Sequence, residues 1–139
     1  MLVDRRENEW EQVGRVLPGD DGSARSEYWD QIFSVKAGDR VVLIRKNDIS
    51  HIRAEANYVR LIVGRESYRV RRTLSSLLER LDPRMFIRVH RSVVVNVRSI
   101  QELLPCNSGE FLLLLRDGIT VPTSRNCRSA LQPFLDRML

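Results

Sequence analysis

A succession of short apolar runs, each bounded by a turn signal, restricts what this chain can fold into. Arg40–Arg45 and Tyr58–Val63 have the length of single strands, and Gly38-Asp39 and Gly64–Glu66 supply turns beside them. Asp117-Gly118 is a further hairpin signal. Runs of this length, rich in valine, isoleucine and leucine and separated by glycine, asparagine and aspartate, are typical of antiparallel hairpins. The pattern predicts a mainly β fold, in which about eight to ten short strands form antiparallel, sandwich-like sheets.

The other predicted strands are also short, and Asn107–Gly109 supplies a turn between two of them. They are Ile32–Val35, Ser67–Arg71, Phe86–Val89, Ser92–Asn96, Ile100–Leu104, Phe111–Arg116 and Ile119–Val121. In Ser67–Arg71 the apolar and charged side chains alternate, so one face of that strand is apolar and the other carries arginines.

One internal segment changes from the period of a strand to that of a helix. Four leucines stand at helical spacing, which predicts one apolar helix face in the core; they are Leu74, Leu77, Leu78 and Leu81. Thr73 is a candidate N-cap, and Asp82-Pro83 is expected to end the helix.

The C-terminal segment has a second helical pattern. Its apolar positions are Cys127, Leu131, Phe134, Leu135 and Met138. Ser124 is a candidate cap, while Pro133 conflicts with one straight helix because proline lacks an N–H and clashes with the preceding turn. We expect a kink here, or a short helix that restarts near the proline.

Charge is distributed unevenly along the 139 residues. Residues 1–31 hold four arginines against eight acidic residues, which leaves 19 of the 23 basic and 10 of the 18 acidic residues in 32–139. The second segment therefore has a net charge of +9 and should attract polyanions. Apart from Lys36 and Lys46 its basic residues are arginines, whose planar donors suit phosphates and guanine edges.

We interpret residues 1–31 as an acidic N-terminal tail or linker and residues 32–139 as the folded domain. Pro18–Ser23 is rich in turn residues, and no sustained periodicity runs through this part. Trp10, Val13 and Leu17 stand at helical spacing and indicate one short helix that docks on the domain or on a partner.

Several protein classes do not fit the composition. No uncharged apolar run approaches the roughly 18 residues of a membrane span, and the N-terminus lacks the apolar stretch of a secretory signal. We therefore expect a cytoplasmic protein. Cys106 and Cys127 lie in no C-x-x-C pair and beside no histidine, so neither a metal nor a cofactor is expected. We interpret them as small, partly apolar residues, with a redox-sensing thiol as the alternative.

Three segments together resemble the LytTR family of bacterial transcription regulators, of the LytR/AlgR type. The first is Ile49–Arg60, with the pattern I..I.A..NYV. The second runs from Arg72 through Phe86 to Ile100 and contains F-x-R-V-H-R-S-x-x-V-N-x-x-x-I, the most specific signature in the chain. The third is Val121–Arg125. The resemblance covers about residues 33–139 in the expected order and implies a DNA-binding domain of a response-regulator effector.

The resemblance implies that loops, rather than a recognition helix, enter successive major grooves of double-stranded DNA. The Asn57-Tyr58 loop, the His90-Arg91 loop and Ser124–Asn126 are the segments expected to carry the contact. Arg91 and Arg125 are the expected base readers, because a guanidinium can donate two hydrogen bonds to guanine N7 and O6. Asn57 is the third, since an amide can read an adenine edge.

A further group of residues is expected to contact phosphates or to support the reading loops, which positions a protein without specifying sequence. They are His90, Tyr58, Arg60, Arg69, Arg71, Arg72, Arg88, Ser124 and Asn126. Any one of the arginines also fits a plain solvated charge. Ser92 and Asn96 are expected to fix the His90-Arg91 loop through side-chain hydrogen bonds to the backbone.

Three of these residues have a structural alternative. His90 can order its own turn by bonding the backbone. Asn57 can cap its own turn, as asparagine in loops often does. Tyr58 can pack its ring at the edge of the domain while its hydroxyl stays free for a phosphate.

Two other functional classes fit the sequence less well. Nucleophilic catalysis needs a serine or cysteine beside a positioned base, but His51 and His90 are the chain's two histidines and neither accompanies a G-x-S-x-G motif. We therefore expect no enzyme and no catalytic residue. A protein- or RNA-binding module with a basic surface is the alternative function. Readers of single-stranded RNA display aromatic residues for stacking, whereas aromatics make up 6% of this chain.

Members of the family often bind a direct repeat as two copies, which implies a homodimer on DNA. Many members also carry an upstream receiver domain or a membrane sensor, and residues 1–31 have no room for either. The chain is therefore a stand-alone regulator or the effector fragment of a longer protein, and we favour the fragment.

Overall fold

An antiparallel hairpin follows a short helix in the first part of the chain. The computed structural model describes residues 23–139, which divide into two compact units after Lys46. Helix α1 (Ser23–Asp30) precedes strands β1 (Ile32–Ala37) and β2 (Arg40–Arg45), which pair through the predicted Gly38-Asp39 turn. Gly38 has a φ of 67°, a conformation that glycine adopts without steric cost.

Part of the segment predicted to be a tail is thus helical. The indicated helix at Trp10, Val13 and Leu17 and most of the turn-rich Pro18–Ser23 lie outside the described residues. The division into 1–31 and 32–139 stays a prediction.

The second unit contains a five-stranded antiparallel sheet. Its strands are β3 (His51–Glu55), β4 (Tyr58–Val63), β5 (Glu66–Val70), β6 (Phe86–His90) and β7 (Val93–Asn96), in the spatial order β5-β4-β3-β7-β6. The 3-10 helix Lys46–Asp48 precedes them. In register, Arg53 lies opposite Arg60 on one side and Val93 on the other. Arg60 in turn lies opposite Arg69 of β5, so this face of the sheet carries charge at β3, β4 and β5 and an apolar side chain at β7.

Helix α2 (Leu74–Leu78) connects β5 to β6 and begins as predicted. The Thr73 hydroxyl accepts a hydrogen bond from Ser76 N at 3.1 Å. The end differs from the prediction, because the helix stops at Leu78, well before Pro83. Leu81 N donates to Leu78 O at 3.2 Å, an i to i−3 bond that tightens the last turn. Leu81 is nevertheless buried, so it packs as predicted.

A second, three-stranded sheet consists of β8 (Ile100–Pro105), β9 (Phe111–Leu115) and β10 (Thr120–Pro122), with β9 in the centre. The 3-10 helix Val97–Ser99 leads into it. Both predicted turns are present, and the glycines at their left-handed positions are Gly109 with φ 81° and Gly118 with φ 88°. Asp117 Oδ1 accepts from Ile119 N at 3.1 Å, which fixes the second turn.

The two sheets share one apolar core. Val89, Val93 and Val95 of the larger sheet pack with Leu113 and Leu115 of the smaller one. Each large aliphatic side chain buried in this way stabilises the fold by about 1.5–3 kcal/mol. The valine run Val93–Val95 is buried throughout.

The chain ends in two short helices instead of one. A 3-10 helix spans Arg125–Leu131, and α3 (Gln132–Leu135) restarts with Pro133 in its first turn, where the missing N–H costs no hydrogen bond. This confirms the expected break. Ser124 occupies the predicted cap position, but its side chain makes no capping hydrogen bond, so the predicted capping interaction is absent. The overall prediction of a mainly β, antiparallel fold is confirmed.

Candidate nucleic-acid interface

Backbone hydrogen bonds link three loops of the second unit through the strand residues beside them. Ala54 N, beside the turn that holds Asn57, donates to Ser92 O at 2.8 Å. Ser124 N donates to Val89 O at 2.9 Å on the other side of the β6–β7 turn. The loops at Asn57, His90-Arg91 and Ser124–Asn126, which lie far apart in sequence, are therefore neighbours.

The first loop is a tight turn between paired Glu55 and Tyr58. Its left-handed position is Ala56, with a φ of 54°, and not the neighbouring asparagine. A non-glycine residue in this conformation is uncommon and costs roughly 1–2 kcal/mol. Asn57 is exposed, and its side chain makes no hydrogen bond to any residue between 23 and 139. It does not cap its own turn.

Two arginines on β4 and β5 already have partners within the protein. Arg60 Nε lies 2.8 Å from Glu55 Oε1, and its Nη1 donates to Ser67 Oγ at 3.0 Å. The Arg69 guanidinium lies over the Tyr58 ring, 4.3 Å from the ring centre. These contacts orient Tyr58 and reduce the positive charge that Arg60 offers to a ligand.

The second loop is stiffened by His90. Its Nδ1 accepts from Ser92 N at 3.2 Å and lies 2.9 Å from Ser92 Oγ. An accepting Nδ1 places the proton of the neutral ring on Nε2, which leaves an N–H donor for another partner. The predicted structural role of His90 is therefore present in the geometry. Arg91, next in the chain, is exposed.

A cavity of about 480 Å³ lies between the first two loops and the start of α2. Six residues singled out from the sequence line it, namely Asn57, Tyr58, Arg71, Arg72, Arg88 and Arg91. Small apolar and hydroxyl residues, among them Ala54, Ala56, Thr73 and Ser75, complete the wall. None of the described residues that line this cavity is acidic. We call it the arginine cavity.

Arg88 is held in place at the wall of the arginine cavity. Its Nη1 donates to Ser75 Oγ at 3.4 Å, and its Nη2 donates to the backbone oxygen of Arg91. Its Nε is buried and finds no acceptor within residues 23–139. Arg88 therefore supports the His90-Arg91 loop through its hydrogen bond to the backbone oxygen of Arg91. No described carboxylate pairs with its charge.

The third loop does not line the arginine cavity. Arg125 is exposed, and its Nε donates to Ser108 O at 3.3 Å, which draws the side chain toward the β8–β9 turn. Asn126 is exposed as well, and Ser124 is half-buried. Arg125 and Asn126 begin the 3-10 helix Arg125–Leu131, which also contains the half-buried thiol of Cys127, while the exposed thiol of Cys106 lies in the β8–β9 turn.

A buried histidine network lies within the second unit. Arg53 Nε donates to His51 Nε2 at 3.2 Å, and His51 Nδ1 lies 3.2 Å from Ser50 Oγ, which donates to Asp117 Oδ2 at 3.3 Å. Burial and the Arg53 charge lower the pKa of His51 from 6.5 to about 4, although Asp117 acts in the opposite direction. His51 is therefore neutral near pH 7.

Sequence reasoning missed the two groups that orient the arginines. Ser75 accepts from Arg88 and Ser108 O accepts from Arg125, and no local pattern indicates either pairing because it depends on how distant segments meet.

The expectation for Asn96 is wrong. Asn96 Nδ2 donates to Asn47 O at 3.1 Å and Ile49 O at 2.9 Å, so it fixes the entry to β3 and not the His90-Arg91 loop.

Two findings concern other classes of site. Between residues 23 and 139 no group of three or more His, Cys, Asp or Glu side chains is arranged to hold a metal ion. In the same part of the chain, no helix has the length and apolar character to cross a membrane.

These features describe a β-rich domain with a basic surface at its loops. The family of this domain follows from comparison with known families. The model of the LytTr DNA-binding domain matches residues 39–136. The chain belongs to the LytTR family, which is defined by DNA binding and not by a catalytic activity.

Curated relatives are longer proteins. Sensory transduction protein LytT of Bacillus subtilis is 32% identical over 102 residues, which cover 73% of this chain and 42% of that protein. LytT of Enterococcus faecalis is 27% identical over 115 residues, covering 83% and 47%. Transcriptional regulatory protein YpdB of Escherichia coli K12 is 32% identical over 89 residues, covering 63% and 36%. The chain spans less than half the length of each of these relatives.

A solved structure has the same fold. It is the LytTr DNA-binding domain of a methyl-accepting/DNA response regulator from Bacillus cereus. The TM-score is 0.69 at 24% sequence identity, and the match covers 76% of this chain and 96% of that one. At this identity the match supports the fold assignment.

Proposed function

We propose that this chain binds double-stranded DNA in a sequence-specific manner and acts as the effector of a bacterial transcription regulator. The observation that carries the proposal is the edge formed by the three hydrogen-bonded loops, on which Asn57, Arg91 and Arg125 are all exposed. A surface that reads bases must present donors on rigid supports, and these loops are fixed to the ends of the two sheets. The net charge of +9 in residues 32–139 supplies the general attraction to DNA.

Base recognition is assigned to the three exposed side chains. Arg91 and Arg125 have the donor geometry for guanine, and Asn57 has that for adenine. Each well-formed bidentate contact is worth about 1–3 kcal/mol of discrimination against the wrong base. His90 Nε2 and the arginines beside it then provide contacts to phosphates, and the loops enter successive major grooves.

The wider context follows from the relatives. The names of the Bacillus subtilis and Escherichia coli proteins describe sensory transduction and transcriptional regulation. We propose the same role for this chain in the cytoplasm, with two copies on a direct repeat and with a receiver or sensor domain as the input.

The experiment is a selection from a pool of duplexes with a random core, followed by sequencing. The enriched site is then titrated by fluorescence anisotropy with wild type, Arg91→Ala, Arg125→Ala and the charge-matched control Arg65→Ala, which alters the β4–β5 turn at the other end of β4. We expect a motif repeated at about one helical turn, and loss of site preference in the first two variants only. Binding that depends on salt but not on sequence would overturn specific recognition.

A further inference from the structure

Four arginines from different parts of the chain line the arginine cavity. Arg71 and Arg72 follow β5, Arg88 lies on β6, and Arg91 lies in the β6–β7 turn. No described acidic residue lines the wall. A concave site walled by charges of one sign concentrates the electrostatic potential. An anion that enters would relieve the mutual repulsion of these groups.

The arginines of this sheet thus fall into two sets. Arg60 pairs with Glu55 and Arg69 lies over Tyr58, so their charges are engaged within the protein. Arg71, Arg72 and Arg91 are exposed at the arginine cavity and make no side-chain hydrogen bond to a described residue. Arg88 is bonded to neutral oxygens alone, those of Ser75 and Arg91. The arginines of the cavity therefore lack a described carboxylate partner, whereas beside it Arg60 is paired with Glu55 and Arg69 is stacked on Tyr58.

We propose that the arginine cavity binds one phosphate group of the DNA backbone, next to the turn that presents Asn57. This rests on the proposed function and deepens it by assigning Arg71, Arg72 and Arg88 to a single phosphate site. Arg91 is shared, since it belongs to the second loop and also lines the cavity. Guanidinium forks match phosphate oxygens better than an ammonium group does, which agrees with a wall built from arginine and not lysine.

The position of the cavity explains why it would fix register. It lies between two of the loops to which base contacts are assigned, at Asn57 and at His90-Arg91. A phosphate held there orients the duplex relative to both loops without adding sequence information. Loss of the site should therefore weaken binding to all sequences by a similar factor.

The test compares Arg72→Gln with Arg65→Gln, two exposed arginines changed in the same way, of which only the first lines the arginine cavity. Both are titrated against the selected duplex and a scrambled duplex over a series of salt concentrations. One lost phosphate contact lowers the log–log salt slope by about 0.9, so the advantage of wild type over Arg72→Gln should shrink about threefold between 50 and 200 mM salt. The ratio of specific to scrambled affinity should be unchanged, and Arg65→Gln should keep the wild-type slope.

A second measurement does not depend on DNA binding. Inorganic phosphate is titrated into the free protein, and the Nε–Hε signals of the arginines are followed by NMR. We expect the signals of Arg72 and Arg88 to shift saturably, and the signal of Arg65 to stay in place.

The outcomes are distinguishable. Wild type that binds no duplex, while phosphate shifts the Arg72 and Arg88 signals, would contradict the proposed function and leave the cavity as a site for a free phosphate compound. Wild type that binds duplex, with an unchanged slope for Arg72→Gln, would overturn the backbone site alone. A slope that falls equally in Arg65→Gln would mean a diffuse charge effect and would also overturn it.

Discussion

Arg53 Nε donates a hydrogen bond to His51 Nε2 at 3.2 Å, so a permanent cation is held against a buried imidazole. Protonation of that imidazole would remove the acceptor and place two like charges in contact. This arrangement makes the stability of the second unit sensitive to the protonation of His51.

Stability should fall in mild acid because of this pair. The pKa of His51 is lowered to about 4 in the folded protein from 6.5, so the unfolded chain binds the proton more readily. The loss begins as the pH falls below 6.5 and is complete below about 4, with a magnitude of about 2 kcal/mol after allowance for solvent screening. Urea unfolding of wild type and His51→Gln from pH 7 to 4 measures it. His51→Gln should show the smaller change, whereas an equal loss in both proteins would assign the effect to other groups.

Asn96 should contribute more to stability than any exposed asparagine. Asn96→Asp keeps an acceptor for Arg98 N, which lies 3.0 Å from Oδ1, but removes the donors to Asn47 O and Ile49 O. A buried carboxylate facing two carbonyl oxygens should cost about 2–4 kcal/mol. Asn126→Asp makes the same change at an exposed position and should cost less than about 0.5 kcal/mol. Comparable unfolding midpoints for the two variants would contradict this role.

The left-handed residue in the first loop should tolerate glycine and reject branched side chains. At Ala56, with φ 54°, glycine removes the steric strain but adds freedom to the unfolded chain, so Ala56→Gly should change stability by less than about 1 kcal/mol. Ala56→Val should lower it by about 2 kcal/mol, since a β-branched residue is strained further there. Ala37→Val, in strand β1, is the control and should be close to neutral. Thermal unfolding of the three variants measures these changes in stability.

The shared core predicts a large difference between two leucines of the smaller sheet. Leu113 is fully buried, whereas Leu104 is 39% exposed. Leu113→Ala should cost about 2–5 kcal/mol through lost burial and the cavity left behind. Leu104→Ala should cost well under half as much. Denaturant unfolding of both proteins tests this, and similar losses would show that the two sheets do not depend on one core.

Much of the fold could be predicted because its signals are local. Alternation, glycine turns and the leucine spacing each depend on residues within one segment, which is why β4, the Asp117-Gly118 turn and the Thr73 cap were found. The end of α2 was missed, because a tight last turn already ends the helix at Leu78, before the proline is reached.

The candidate site was predictable in its residue types but not in its arrangement. The signature around His90-Arg91 indicated which loops to expect at the site, whereas the arginine cavity depends on the first loop, the start of α2 and the β6–β7 turn lying side by side. The partners of Arg60 and Arg125 depend likewise on strand register and loop packing. Sequence reasoning therefore treated the five arginines expected at phosphates as equivalent, and the structure separates them.

The two backbone bonds that join the loops, from Ala54 N to Ser92 O and from Ser124 N to Val89 O, also limit how such a domain can change its target. Neither bond involves a side chain, so both survive most substitutions in the loops themselves. If the loops read DNA as proposed, substitutions within them would exchange side chains on an unchanged backbone. An insertion that broke one of these bonds would move a loop relative to its neighbour, and with it every side chain that the loop presents.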